Sequence, residues 1–339
     1  MHYVGIDVHQ RMSAVCILNE NGKTDKSFTV KGPWPRVFQA LESVPKPFAV
    51  CFEASNGYGY LHEGFSRMAE RVVVAHPGQL RLIFRSKRKN DRVDAEKLAK
   101  LLYLDEVPPV YVPSAEVRAW RRLITFRSKR VAERTRVKNR LRGLLRRNGI
   151  ELPAGLRSLW SKAGLQWLHD LELEQQGLAL ERDLLLDDLA DSQARIRRVE
   201  AHLNAQAKAH PGVTLLMTIP GVGPRTAEAM VAWIDDVRRF ARTKQVGSYF
   251  GLVPSQDASA GMNRLGHITK QGPGLVRMLL CEAAWQAIRR APAVRAFYER
   301  LQRGDPNRRK IALVATSHYL ARVMAAMLRN QKPWQPKAA

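Results

Sequence analysis

Cysteine is scarce in this chain. Three thiols, Cys16, Cys51 and Cys281, are scattered over 339 residues with no C-x-x-C pair. Neither a disulfide framework nor a cysteine zinc site is expected, and a reducing cytoplasm is the natural compartment. Long hydrophobic runs are missing too: no stretch of about 18 uncharged apolar residues occurs, which argues against a spanning helix. The N-terminus lacks the basic segment and apolar run of a secretory leader. No lipidation motif or cleanly amphipathic basic helix marks the chain for a membrane surface. The most telling shortage is of acid: 31 Asp+Glu face 56 Lys+Arg, a formal charge of +25 with a pI near 10.6. An excess of that size calls for a polyanionic partner, and nucleic acid fits better than a membrane. The 45% of apolar residues is ample for about two packed domains.

With so few acids, their positions carry weight. Tyr3–Val8 is a β-rich run with Asp7 inside it. A carboxylate is costly in a dry strand unless it is paired or bound to metal, so Asp7 is expected where the strand meets a cleft. Ser13–Leu18 and Ser27–Val30 continue a β-meander, with Asn21-Gly22 as the turn signal. Trp34 to Leu41 reads as a short helix between prolines. Phe48–Phe52 is a strand apolar on both faces that ends in Glu53. Tyr58–Met68 reads as helix, Arg71–Ala75 as strand, and Pro77 opens another helix. The order β-β-β-α-β-α-β-α predicts a mixed sheet with helices packed on it, and ligands bind such sheets at the carboxyl ends of strands. Asp7 and Glu53 both fall there. Further on, Asp91 and Asp94 are three apart in a helical stretch and share one face. Alone, they read better as an acidic helix start favoured by the macrodipole, with the basic residues 85–89 as a solvated run. Together with Asp7 and Glu53 they make a four-carboxylate cluster suited to a hard divalent cation, Mg²⁺, and to phosphoryl transfer.

The basic charge is concentrated. Between Arg118 and Arg147 thirteen Lys/Arg meet one acid, Glu133. Arg118, Arg121, Arg122, Arg127, Lys129, Arg130, Arg134, Arg136, Lys138 and Arg140 are the candidate contacts of this helix, to DNA, RNA or both. From Gln166 to Leu203 the composition inverts to nine acids against four bases. Eight of eleven positions spaced by alternating threes and fours between 168 and 203 are apolar. That seam predicts a projecting coiled-coil arm that forms a homodimer, or else an amphipathic helix packed on its own domain.

Residues 215–234, LLMTIPGVGPRTAEAMVAWI, predict a helix-hairpin-helix. Gly221 and Gly223 allow the tight turn and Pro224 suits the first helical position. Backbone N–H groups there can hold a phosphate, although the same turn also joins two core helices elsewhere. Phe240 to Leu252 reads as helix. Residues 255–274 read as a polar loop holding Ser259, Arg264 and Lys270 among small residues, with the two cations placed for phosphate charge. Residues 275–300 and 311–330 read as closing helices. The expected division is 1–113 for the sheet domain, 114–150 for the basic helix, 151–210 for the arm and 211–339 for a mostly helical C-terminal domain.

Five motifs, YVGIDVHQ at Asp7, FEASNGYG at Glu53, KNDRVDAEKLA with Asp91 and Asp94, IPGVGPRTA at 219–227 and GLVPSQDASAGMNRLGHITKQG at 251–272, carry a resemblance over nearly the whole chain. In this order and spacing they resemble the DEDD-type insertion-sequence transposases. That family joins a RuvC-like domain to a serine-bearing C-terminal domain and includes the bridge-RNA-guided recombinases. The resemblance implies an RNase H-like fold, Mg²⁺ on Asp7, Glu53, Asp91 and Asp94, and Ser259 as nucleophile through a phosphoserine. It further implies a composite centre shared between protomers, a tetramer of two dimers on donor and target DNA, and a structured bridge RNA that selects sequence. The family often has Thr where this chain has Asn90, and Ser-Ser-Gly where it has Ala258-Ser259-Ala260. Counting back from the Ile-Thr-Lys at 268–270 places Ser259 on the second of those serines. The alternatives are a hydrolytic RuvC-like nuclease or junction resolvase using the four acids alone, and a catalytically dead RNA-binding scaffold.

Overall fold

Strand-forming runs of Val, Ile and Phe fix the first part of the molecule. The computed structural model describes residues 1–83, 90–259 and 262–336, and these divide into two units, Met1–Arg118 and Ala119–Ala339. In the first unit the elements are β1 (His2–Val8), β2 (Met12–Leu18), β3 (Thr24–Lys31), α1 (Pro35–Leu41), β4 (Phe48–Glu53), α2 (Tyr58–Ser66), β5 (Arg71–Ala75), α3 (Pro77–Ile83) and α4 (Asp91–Tyr103). The five strands stand in the order β3-β2-β1-β4-β5. The meander is antiparallel, and β4 and β5 run parallel to β1. This mixed sheet with helices is the architecture the alternating pattern predicts, and an RNase H-like fold fits it.

The two faces of the sheet are filled differently. Val4, Ile6, Val15, Ile17, Val50 and Phe52 form one layer with Val37, Leu41, Leu61 and Phe65 from α1 and α2. The opposite face carries small residues, Gly5, Ala14, Cys16, Ala49 and Cys51, and α4 lies on it. Gly5 makes this close approach possible: a Cβ there would lie 2.1 Å from the Ala95 carbonyl oxygen and 2.3 Å from the Ala99 nitrogen. Ala95 and Ala99 are themselves fully buried. Burial on this face pushes the Cys51 thiol up to about 12, so it stays protonated and inert.

The second unit is mostly helical. The long α5 (Ala115–Arg147) enters it from the first, followed by α6 (Lys162–Asp170), α7 (Gln176–Ala209), α8 (Pro211–Leu216), α9 (Pro224–Ile234) and α10 (Lys244–Tyr249). A hairpin of β6 (Pro254–Ser259) and β7 (Met262–Ile268) precedes α11 (Gly274–Arg290), α12 (Pro292–Gln302) and α13 (Arg309–Asn330). One core gathers Met230, Phe250, Leu280, Leu320 and Met324. The stretch Pro306–Asn330 is long and apolar enough to cross a membrane by composition, and half of it is buried inside this unit.

Three expectations are corrected. The seam over 168–203 is not one helix. Alpha-helical structure stops at Asp170 and resumes at Gln176, and the seam residue Arg182 donates to the Leu171 carbonyl across the break. Nor is the seam free: Leu168, Leu185 and Leu189 are buried with Val137, Leu141, Leu144 and Leu145 of α5, and Leu203 with Trp120 and Ile124. Ion pairs Arg127–Glu200 at 2.5 Å and Arg147–Glu181 at 3.4 Å show α5 and α7 running antiparallel. The acidic helix therefore packs on the basic one. The helix expected over Phe240–Leu252 shrinks to α10. The polar loop 255–274 is largely a β-hairpin, because backbone pairing satisfies groups that its polar side chains leave unsatisfied.

Candidate active site and nucleic-acid surface

Asp7 follows Ile6 on β1, Glu53 follows Phe52 on β4, and Ile6 and Phe52 are register partners in the parallel pair. The two carboxylates therefore leave neighbouring strands at one level. With side chains alternating along a strand, they share the face of Gly5 and Cys51, which α4 covers. The helix begins where these strands end. Asn90 is its N-cap, and its side-chain oxygen accepts the Arg92 N–H at 3.1 Å. Asparagine caps as well as the threonine common in the resembled family, so this difference leaves the helix start intact. Asp91 and Asp94 then continue the stripe of Ala95, Leu98 and Leu102 that packs on the sheet. Packing of small residues thus brings the two helix acids to the strand ends.

One ligand atom each from Asp7, His9 and Asp91 lie within 4.8 Å of one another. The His9 Nε2 is 3.4 Å from Asp7 Oδ2 and 3.9 Å from Asp91 Oδ2. Asp94 accepts from Lys97 Nζ at 3.2 Å. The Asp7 side chain is 16% exposed, those of Asp91 and Asp94 35% each and that of His9 47%, so the group is open to solvent. Carboxylates this close repel unless a cation intervenes. Hard oxygen donors plus one imidazole fit a divalent metal. His9 was missed in the sequence, where a lone histidine carries no signal. Its spacing of two from Asp7 was the available clue. The basic residues 85–89 lie outside the described residues.

The ten candidate cations of α5 divide into two sets by exposure. Arg122, Lys129, Arg136 and Arg140 are exposed. The first three are spaced by sevens and so form a stripe along one face. Five of the other six candidates have internal partners. Arg118 pairs with Glu63 and donates to the Pro113 carbonyl. Arg121 donates to the carbonyls of Ala232 at 2.7 Å and Trp233 at 3.1 Å, closing the C-terminus of α9. Arg127 pairs with Glu200, and Arg130 with Glu133 at 2.9 Å. Lys138 lies 4.7 Å over the Trp160 ring, and burial holds its ammonium below the usual lysine value. The sixth, Arg134, has a buried Nε with no hydrogen-bond partner among the described residues.

In the predicted helix-hairpin-helix, Gly221 has φ +95°, and a Cβ there would lie 2.5 Å from the Ala287 nitrogen. Gly221 therefore serves close packing on α11. Gly223 faces open space and is the N-cap of α9 with no side-chain cap, which leaves backbone N–H groups uncommitted. Trp285, Arg289 and Arg290 of α11 line the same groove, of about 680 Å³; no sequence signal groups them with the hairpin. Behind it, Glu228 is fully buried beside Arg225 at 3.0 Å, and burial pushes its carboxyl up to about 7.

Ser259 ends β6 and pairs with Met262, while the next same-face pair is Asp257 with Arg264. Every residue of β6 is exposed, and all of β7 but Ile268. Lys270 follows in a left-handed conformation, φ +54°. Ala260, next to Ser259, lies outside the described residues.

Comparison with known proteins finds transposases. A transposase family of the DEDD type matches residues 4–149, and the "Transposase IS116/IS110/IS902 family" matches residues 213–299. A probable family 20 transposase of Pseudomonas aeruginosa is 28% identical over 73% of this chain and 74% of its own length. The transposase for insertion sequence element IS1111A of Coxiella burnetii is 28% identical over 84% of this chain and 78% of its own. A pilin gene-inverting protein of Moraxella bovis is 26% identical over 40% of this chain and 42% of its own. The DEDD-type domain makes catalysis dependent on a divalent metal, in keeping with the carboxylate cluster. The chain belongs to the IS110/IS116/IS902 family of transposases, enzymes that bind DNA, cut it and transfer its strands.

Proposed function

We propose that this transposase excises and inserts its element through a phosphoserine on Ser259. The hydroxyl oxygen of Ser259 attacks a DNA phosphorus, its proton passes to solvent, and the bond to a deoxyribose oxygen breaks to free a hydroxyl. A hydroxyl of the second DNA then attacks the phosphoserine and regenerates Ser259, so no nucleotide cofactor is consumed. Mg²⁺ held by Asp7, Glu53, Asp91 and Asp94 would supply charge for the phosphate in flight. Arg264, on the face of Ser259, and Lys270 would orient that phosphate. The exposed stripe Arg122, Lys129, Arg136 and Arg140, with the groove at Gly221 and Gly223, would follow nucleic-acid backbone. A structured bridge RNA would select donor and target by base pairing.

The observation that carries the reading is the meeting of Asp7 with Asp91 of α4 at the strand ends, with Glu53 leaving the neighbouring strand at the same level. Two others support the serine step. A two-stranded hairpin exposed on both faces is marginal alone, so β6–β7 suits a site completed by another surface, here a second protomer in a composite centre. The Moraxella bovis relative is named for inverting a gene, and inversion requires rejoining as well as cutting. The predicted seam is buried within the chain, so the protomer contact is assigned to the exposed Leu180 and Leu184 on α7, with a tetramer assembling on two DNAs.

Covalent trapping tests this. Protein, its RNA, Mg²⁺ and labelled element-end DNA are run on a denaturing gel. The expected DNA-shifted protein band disappears in Ser259→Ala and in Asp7→Ala. Cut DNA without that band, persisting in Ser259→Ala, replaces the proposal with the hydrolytic nuclease. Mixing the two variants restores activity if the centre is composite.

A further inference from the structure

The carboxylate site contains a nitrogen that the four-acid description does not use. His9 lies two residues beyond Asp7, at the tip of the β1–β2 turn, and its Nε2 is directed at both Asp7 Oδ2 and Asp91 Oδ2, 3.4 and 3.9 Å away. Ligands of an octahedral ion with bonds of about 2.1 Å stand about 3 Å apart when adjacent and about 4.2 Å when opposite. Both His9 separations fall between these values and all three atoms lie within 4.8 Å of one another, so small side-chain rotations would place them on one ion.

The position of His9 is also held from behind. Its carbonyl oxygen accepts the indole N–H of Trp34 at 3.1 Å and the hydroxyl of Ser13 at 3.4 Å. Trp34 in turn fills the space beside Gly57, where a Cβ would lie 2.2 Å from the ring. Gly57, with φ +86°, closes the loop that follows Glu53. One indole thus braces the turn bearing His9 against the loop next to the second strand-end acid. The His9 side chain itself is 47% exposed, so the bracing fixes its backbone and leaves the ring accessible to an ion.

We propose that His9 ligates the divalent ion of this site through Nε2, alongside Asp7 and Asp91, and so shifts the site's preference from Mg²⁺ toward Mn²⁺. Magnesium favours all-oxygen shells, whereas imidazole is a better ligand for first-row transition ions. The inference rests on the reading of the carboxylates as the metal site and adds a ligand to it.

Pulsed electron paramagnetic resonance on the full chain loaded with Mn²⁺ tests it without any reaction. The wild type is expected to show imidazole nitrogen coupling to the bound ion, and His9→Gln to bind Mn²⁺ without it. Mn²⁺ affinity is expected to fall by about tenfold in His9→Gln, with Mg²⁺ affinity changing by less than about threefold. Circular dichroism and a melting curve confirm that the variant is folded. Bound Mn²⁺ that depends on Asp7 but lacks nitrogen coupling in the wild type overturns the role of His9 and leaves the carboxylate site standing. Coupling that persists in His9→Gln assigns the nitrogen to another histidine and also overturns the proposal. Mn²⁺ binding unaffected by Asp7→Asn, or no binding, overturns both the ligand and the site.

Discussion

The carboxylates and Ser259 are supported in opposite ways. Asp7 and Glu53 extend from strands with fully buried cores, and α4 is seated against them through Gly5, Ala95 and Ala99. Ser259 sits on a hairpin whose residues are nearly all exposed. On the reading proposed above, the carboxylates form a metal site, which must hold its ligands to a fraction of an ångström before substrate arrives and so belongs in the core. On the same reading, Ser259 is a nucleophile that meets DNA inside an assembly and can be carried on an element ordered by that meeting. The contrast predicts that stability and chemistry are tied together in the first unit and separable in the second.

The largest effect is expected from Gly5→Ala. The added methyl meets backbone atoms of α4 that cannot swing aside, and overpacking of this kind costs about 3 kcal/mol or more. Melting of the first unit should fall by about 10 °C, and DNA cleavage should fall with it. Unchanged stability would mean that α4 is not seated as described. Ser259→Ala should leave the melting curve within about 1 °C while abolishing the covalent adduct, since exposed substitutions cost about 0.5 kcal/mol or less.

Glu228→Gln probes the second unit's one strongly shifted acid among the described residues. Its folded value near 7 stands above the ordinary 4.5, so on raising pH the unfolded chain releases the proton first. Wild-type stability therefore declines from about pH 4.5 to 7, by up to about 3 kcal/mol, and stays reduced above that. The glutamine variant lacks this loss. Its melting temperature should exceed the wild type's at pH 8, with the gap closing toward pH 5. An equal gap at both values would assign the proton elsewhere.

The smallest effects on stability are expected along α5. Replacing Arg122, Lys129 and Arg136 with Gln should barely move the melting curve, yet lower the slope of log affinity against log salt by about 2 to 3. Arg121→Gln should do the reverse. It removes two donors from the end of α9 at a cost of about 1–3 kcal/mol and leaves the salt slope nearly unchanged.

Much of the first unit was legible because its signals are local. Runs such as Phe48–Phe52 and Arg71–Ala75 announce buried strands, and an acid at the end of each of two parallel strands announces a cleft. The seam of α7 was legible as an apolar stripe, but its partner was not. Periodicity says that Leu185 and Leu189 are covered without saying by what, and α5 covers them. Arg121 and Arg122 are adjacent and identical in type, yet one closes a helix end and the other faces solvent. Only the fold distinguishes them. The hairpin was missed because its stability resides in backbone pairing, which its polar side chains do not advertise.

Docking of α4 on β1 has a thermodynamic consequence. Asp7 and Asp91 are separated by more than eighty residues of chain, and they come together only while the helix is seated. An ion that binds both is therefore a clasp across the sheet, and its binding energy belongs to the folded first unit. At a metal concentration a hundredfold above the dissociation constant the clasp contributes about 2.7 kcal/mol. The ionic milieu then sets how long the helix stays seated, and a metal-starved transposase would lose its shape at the same place, and by the same event, as it loses its chemistry.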